Sequence, residues 1–479
     1  MAHGSPAQHH AAAPTAPPDP RRWKALALIS VAQFMLILDV TVVNVALPDI
    51  GIDLGLGRSA LTWAVTAYTL FFGGLMLLGG RLADTFGARR MMLTGLVVFT
   101  LASLATGLAQ DQALLLGGRI AQGIGAALLS PAALSTVTLT FHGSERNKAL
   151  GVWGALGGVG FAAGVLLGGV LTAGPGWRWV FFINVPVGLV LLAALPTVVR
   201  GHTTRPSRQR LDLLGAGTVT AATATFIYGM INAGDDGWSA AGTLGPLAAA
   251  VVLYGAFGWI ERTVRTPLMH VTMLARRPVA AGAFLMLVAS ALLISLFFLG
   301  SQYLQHARGI SALETGLLFL PAALGTGVGA HIAGRLVGSV GTRPVATAGL
   351  VLVAVGAGLL TGLSPDGAVG PELLPGIVIA AAGVGPVFVA ASTSALAHID
   401  HAEAGLASGV INTFHELGAA IGVAVASTIA ATGLADVPSI GGFTSAFTVF
   451  AVAAAVAAVA SLWLVPPGKP QITGGPHVH

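Results

Sequence analysis

The chain contains no cysteine, and only 9% of its 479 residues are charged. The first absence excludes disulfides, thiolate chemistry and iron–sulfur ligation. The second excludes an ordinary soluble domain, where about 25% of residues carry charge. No GxxxxGK[ST] run occurs, so the phosphate-cradling loop that would make ATP the energy source is missing. HExxH and paired-histidine spacings are also absent, and the thirteen histidines fall mostly in tails and loops. A haem or metal enzyme is therefore not expected, and neither is any cofactor.

What remains is apolar. Hydrophobic residues make up 55% of the chain, and the mean hydropathy is +0.84. A pI near 10.1 could point to nucleic acid. The basic residues are scattered through short connections rather than gathered on one polar domain, so no nucleic-acid partner is expected.

A helix needs about 20 apolar residues to cross the hydrocarbon core. Fourteen segments qualify, beginning near Ala25, Ala60, Met91, Ala113, Ala149, Trp179, Leu213, Ala240, Val279, Thr315, Val345, Leu373, Gly405 and Phe443. With the N-terminus inside, 19 of the 23 Lys and Arg residues fall on the cytoplasmic side. That asymmetry places both termini in the cytoplasm and the protein in the cytoplasmic membrane as a multi-pass chain.

The chain also repeats itself. GRLADTFGARR starts at Gly80 and GRLVGSVGTRP at Gly334, so Gly80, Arg81, Leu82, Gly87 and Arg89 recur as Gly334, Arg335, Leu336, Gly341 and Arg343. Gly123 and Gly125 in span 4 recur as Gly383 and Gly385 in span 12, and Gly151 opening span 5 recurs as Gly409 opening span 13. The registers match only if spans 7 and 8 are extra. The expected fold is all-α and membrane-integral, with two pseudo-symmetric six-helix bundles plus two inserted helices. Duplicated halves around a midplane site are a transporter arrangement. Residues 1–24 read as a disordered cytoplasmic tail, 25–200 and 278–466 as the bundles, 201–277 as a linker with the inserted pair, and 467–479 as a second tail. The inserted pair is expected to stand away from the main cavity.

Three spans carry a charge well inside: Asp39 in span 1, Arg119 in span 4 and Glu416 in span 13. A carboxylate at that depth costs about 2.5–3.5 kcal/mol on insertion scales and normally turns toward a partner or an ion pathway. Asp39 is read as a proton carrier, and Arg119, too costly to bury alone, as its counter-ion. A purely structural ion pair is the alternative. Gln122, one turn beyond Arg119, would share that region. In the 80–90 loop, Gly80 and Gly87 allow a tight turn. Asp84 can sit against a helix N-terminus, and Arg81, Arg89 and Arg90 supply positive charge. Asp84 therefore reads as a conformational latch, one-sided because Gly338 takes its place in the second copy. Gly160, Gly164 and Gly168, with Gly151 and Gly169, make a groove for close helix approach. His415 and Glu416 stand together about one third of the way into span 13, as a possible proton or substrate pair. Gln33, Phe34, Asn44, Gln302, Gln305 and Asn412 complete the polar and aromatic residues that could line a cavity.

GRLADTFGARR resembles the signature between the second and third helices of the major facilitator superfamily. LDVTVVNVALP from Leu38 and WRWVFFINVPVG from Trp177 are similar to its drug:proton antiporter branch with fourteen helices. The resemblance covers essentially all of residues 25–466. It implies a secondary transporter, working as a monomer, that exports hydrophobic small molecules such as drugs or antibiotics in exchange for protons. It also implies that Arg119 takes part in proton coupling and that the span-5 glycines form the antiporter motif, with Val165 at that motif's proline position. A proton-coupled nutrient importer and a non-transporting membrane sensor are the alternatives. The second would need a soluble signalling domain, for which no loop is long enough.

Overall fold

The computed structural model describes residues 20–468 apart from 142, 200–211, 265–266, 268, 270–271, 365–367, 397–403 and 431–439. The tails predicted for 1–24 and 467–479 lie almost wholly outside the described residues, as do the four basic residues of the 200–211 linker.

The chain is helical throughout its described length. The first half comprises α1 (Arg22–Leu54), α2 (Arg58–Gly74), α3 (Met76–Phe86), α4 (Ala88–Gly107), α5 (Gln112–Thr140), α6 (Gly143–Ala173), α7 (Trp179–Phe182) and α8 (Asn184–Val198). The inserted helices are α9 (Leu213–Asp235) and α10 (Ala241–Thr263), and α11 (Thr272–Ala275) is a short turn of helix after them. The second half comprises α12 (Arg277–Gln302), α13 (Ala312–Val340), α14 (Thr342–Leu359), α15 (Val369–Leu396), α16 (Ala404–Ile429) and α17 (Ile440–Leu464).

Twelve described helices are long and apolar enough to cross a membrane, and thirteen if α2 and α3, bent by 46° at Leu75, count as one span. The fourteen predicted crossings are thus not reached by length and hydropathy. α6 makes the difference. It runs for 31 residues, and among its described side chains the apolar stretch is Ala163–Ala173.

Each half has its own apolar core. One is built on Leu36, Phe99, Leu129 and Leu191, the other on Leu293, Phe297, Phe319 and Val387. A third cluster joins the halves at the arginine-rich end, where Leu77, Leu134 and Leu150 meet Leu396, Leu406 and Val410. α10 packs on α9, and α9 packs on α2, α3 and α16. The inserted pair therefore lies along the seam between the halves. Trp63 of α2 stacks on Tyr228 of α9, and Trp238 Nε1 donates to Thr428 Oγ1 of α16.

The duplication is visible in backbone geometry. Gly87 and Gly341 both have positive φ, 94° and 92°, which an L side chain rarely adopts. Arg89 Nη2 donates to Pro196 O at the end of α8, and Arg343 Nε donates to Val465 O just beyond α17.

Candidate functional site: a caged carboxylate between four helices

Asp39 lies near the middle of α1 and is fully buried. Burial without partners would leave a bare charge in an apolar bundle. α5 supplies most of what it needs. Arg119 Nη1 meets Asp39 Oδ2 at 2.5 Å, and Gln122 Nε2 meets Asp39 Oδ1 at 2.9 Å. Residues 119 and 122 are three apart and so share one helix face. Arg119 Nη1 also donates to Gln122 Oε1 at 2.9 Å, locking the two together. Arg119 Nε donates to Ala64 O of α2 at 2.9 Å, and its guanidinium stands 4.4 Å from the Tyr68 ring centre, a cation–π contact.

Two further residues, which the sequence reading did not single out, complete the site. Asn184, at the start of α8, donates from Nδ2 to Asp39 Oδ1 at 2.9 Å. Ser103 of α4 accepts from Gln122 Nε2 at 2.8 Å and from Asn184 Nδ2 at 3.5 Å. A signal existed in the sequence. Within Trp179–Val198 the only uncharged polar side chains are Asn184 and Thr197, and Thr197 sits at the end.

The glycines of α6 divide between two faces. A Cβ at Gly160 would lie 2.6 Å from Ile37, one at Gly164 would strike Thr41 Oγ1, and one at Gly168 would lie 3.0 Å from Val45. These three contacts bring α6 against the turns of α1 that flank Asp39. Gly151 and Gly169 instead face α13, at Ala330 and Leu313.

The 80–90 loop lies against the start of α16. Asp84 Oδ1 accepts from Gly405 N and Oδ2 from Leu406 N, each at 2.7 Å. A carboxylate is favourable on free N–H groups at a helix N-terminus. Gly80 packs on the Gly405 carbonyl with no room for a side chain. Arg90 is exposed. Close by, Arg146 Nη2 donates to Leu396 O at 2.6 Å, tying α6 to α15. Burial lowers its guanidinium to about 10, which leaves it charged at neutral pH.

The remaining predicted residues scatter. Among the described residues Gln33 Oε1 is buried without a hydrogen-bond partner, and Phe34 packs near Gly160. Asn44 is exposed and bonds its own helix at Val40 O. Gln302 precedes the π-turn Tyr303–Ala307 and Gln305 lies within it, where Gln305 Nε2 donates to Ser301 Oγ. Asn412 Nδ2 reaches Ser130 Oγ of α5 at 3.4 Å, across the halves. His415 Nδ1 and Glu416 Oε1 are 3.3 Å apart, and the His415 ring tilts against Phe388. Glu416 lies within α16, and its Cβ packs on Gly73 of α2, beside Ile227 of α9.

At the end of α1 away from the arginine-rich loops, Arg178 Nη1 and Trp177 Nε1 donate to Asp53 Oδ2 at 2.6 and 3.1 Å. Those hydrogen bonds, Arg178 foremost, hold the Asp53 carboxyl below the usual range.

The major facilitator superfamily profile matches residues 29–302 and again residues 283–478. The chain is 39% identical to the puromycin resistance protein pur8 of Streptomyces alboniger, over 86% of this chain and 82% of that one. It is 37% identical to the cephamycin export protein CmcT of Amycolatopsis lactamdurans, over 87% and 86% of the two chains. The lincomycin resistance protein of Streptomyces lincolnensis is also 37% identical, over 93% and 91%. Among solved structures, the proton:xylose symporter XylE superposes with a TM-score of 0.67 at 15% identity, covering 94% of this chain and 97% of that one, a likeness of fold alone. The two-fold profile match, these relatives and the paired bundles together make this chain a member of the major facilitator superfamily, a transporter and not an enzyme.

Proposed function

We propose that this protein exports hydrophobic small molecules, antibiotics among them, across the cytoplasmic membrane in exchange for protons. The observation that carries the reading is the caged Asp39–Arg119 pair at mid-helix depth. Arg119 cannot give up its own proton, so only Asp39 can change the charge of this pair. Protonation of Asp39 would leave Arg119 seeking another partner, which is a means of coupling proton binding to helix movement. The names of the relatives support export over uptake, and antibiotics over nutrients.

The arginine-rich end is read as cytoplasmic, with both termini there, and α6 as a fourteenth crossing. The apolar seal of Leu77, Leu134, Leu396 and Leu406, with the Asp84 latch, supports a conformation closed toward the cytoplasm. Movement would then alternate access between the halves, with Asp84, Arg89 and Gly80 biasing the two states. His415 and Glu416 are read as a proton or substrate pair in the second half. The protein is read as a monomer, with the proton gradient as energy source and no cofactor.

The test uses inverted membrane vesicles supplied with puromycin or lincomycin. Uptake should follow an imposed pH gradient and collapse with a protonophore. Uptake that persists unchanged without a gradient would overturn the proposal.

A further inference from the structure

Asp39 receives three hydrogen bonds, and every one comes from a group that only donates at that atom. Oδ2 faces Arg119 Nη1, while Oδ1 faces Gln122 Nε2 and Asn184 Nδ2. A guanidinium and the nitrogens of two side-chain amides offer no lone pair to a protonated carboxyl. These donors fill three of the carboxylate's roughly four lone-pair sites and favour its charged form. Arg119 and Gln122 share a face of α5 and are bonded to each other, so neither is easily moved alone. Asn184 is different. It comes from α8, just after the break at Ile183 that separates α7 from α8, and it is 1% exposed. Its side chain does not serve the start of its own helix, where no side-chain cap forms. Its amide is aimed at Asp39 and Ser103 instead.

We infer that Asn184 is a positioning residue that holds Asp39 in its charged form and sets how tightly the site binds a proton, with Ser103 orienting the amides. The inference rests on the proton-exchange reading and adds to it a residue, in a different helix, that sets the proton affinity of the carboxylate. Ser103 Oγ accepts from both Gln122 Nε2 and Asn184 Nδ2, so one hydroxyl aligns two donors with one carboxylate oxygen. The charged and titratable groups facing the pair are Arg119 of α5, Tyr68 of α2 beneath its guanidinium, and, from α16, Glu416 against Gly73. Replacing Asn184 leaves all of these charges in place and removes only a donor. Loss of a hydrogen bond to the charged form of an acid favours its neutral form, so proton affinity rises.

The experiment is an infrared pH titration of the full-length protein in lipid, with no substrate present. The protonated-carboxyl band of Asp39 is assigned by its loss in Asp39→Asn. In Asn184→Leu, close in shape but without a donor, the band's pH midpoint should rise by about one unit, a tenfold tighter proton. Asn184→Gln, which restores an amide on a longer arm, should return part of the shift. Ser103→Ala should move the midpoint the same way but less. An unmoved midpoint in Asn184→Leu, with the band intact, overturns the inference and leaves the proton-exchange reading standing. If Asn184→Leu does not fold, an unmoved midpoint in Ser103→Ala overturns it equally. A wild-type protein with no Asp39-dependent band at any pH overturns both.

Discussion

The loops at 80–90 and 334–344 build the same turn twice and use it differently. Both place a glycine at positive φ, Gly87 and Gly341, and both send an arginine to the last helix of their own half, Arg89 and Arg343. Both also press a glycine on the opposite half. Gly80 meets the Gly405 carbonyl near Gly409, and Gly334 meets the Asn147 carbonyl near Gly151. The copies part at the position of Asp84. In the first half its carboxylate accepts from Gly405 and Leu406, the opening N–H groups of α16. In the second half Gly338 offers no side chain, although a Cβ there would stand 3.3 Å from Asn147 Nδ2. The shared residues thus make the turn and the close approach. The unshared one makes a charged bond across the halves.

The largest effect should come from filling the close approach. Gly80→Val places a branched side chain on a backbone carbonyl, where overpacking costs about 1–3 kcal/mol. Transport should be lost, and the closed arrangement of this end should be depopulated. Cysteine labelling of single sites beside Leu77 can follow this cleanly, since the chain has no native cysteine. Unchanged labelling and transport would show that the approach is not needed.

Asp84→Ala should have a smaller effect, removing a helix-end acceptor worth about 1 kcal/mol. Transport should fall several-fold with expression intact, and labelling at the same sites should increase. Equal effects from Asp84→Ala and a mutation at Gly338 would erase the asymmetry. Gly338→Asp sharpens the comparison. Its carboxylate should accept from Asn147 and add a second latch, slowing turnover while raising thermal stability.

The smallest effect belongs to the far end. The Asp53 carboxyl is held low by Arg178 and Trp177, so its contribution to stability is present above the ordinary carboxylate range and fades as pH falls through it. Wild type and Asp53→Asn should differ slightly in melting temperature at neutral pH and converge in acid. A gap that widened in acid would contradict the assignment.

Much of this was legible in the sequence because the bilayer makes charge expensive. Asp39 and Arg119 stand out in apolar runs, and neither is tolerable without the other. The loop repeat was legible because turns need glycine at fixed offsets, and the spacing from Gly80 to Gly334 recurs between Gly95 and Gly349, which pack on Gly125 and Gly383. Asn184 and Ser103 were harder to find. An uncharged polar residue carries a modest penalty, and its partner is set by how four helices converge, which no local pattern encodes. The packing of α9 into the seam was also hidden, since an inserted helix has no counterpart in the repeat to align with.

The most direct test of proton exchange through Asp39 separates coupling from movement. Asp39→Asn is reconstituted into liposomes and assayed in two modes with a compound that the wild-type protein transports. One mode is exchange of labelled for unlabelled substrate at equal pH, and the other is accumulation driven by a pH gradient. Loss of gradient-driven accumulation with exchange retained is the predicted result, because the halves can still alternate when the carboxylate can no longer titrate. Gradient-driven accumulation at the wild-type level in Asp39→Asn would contradict the account.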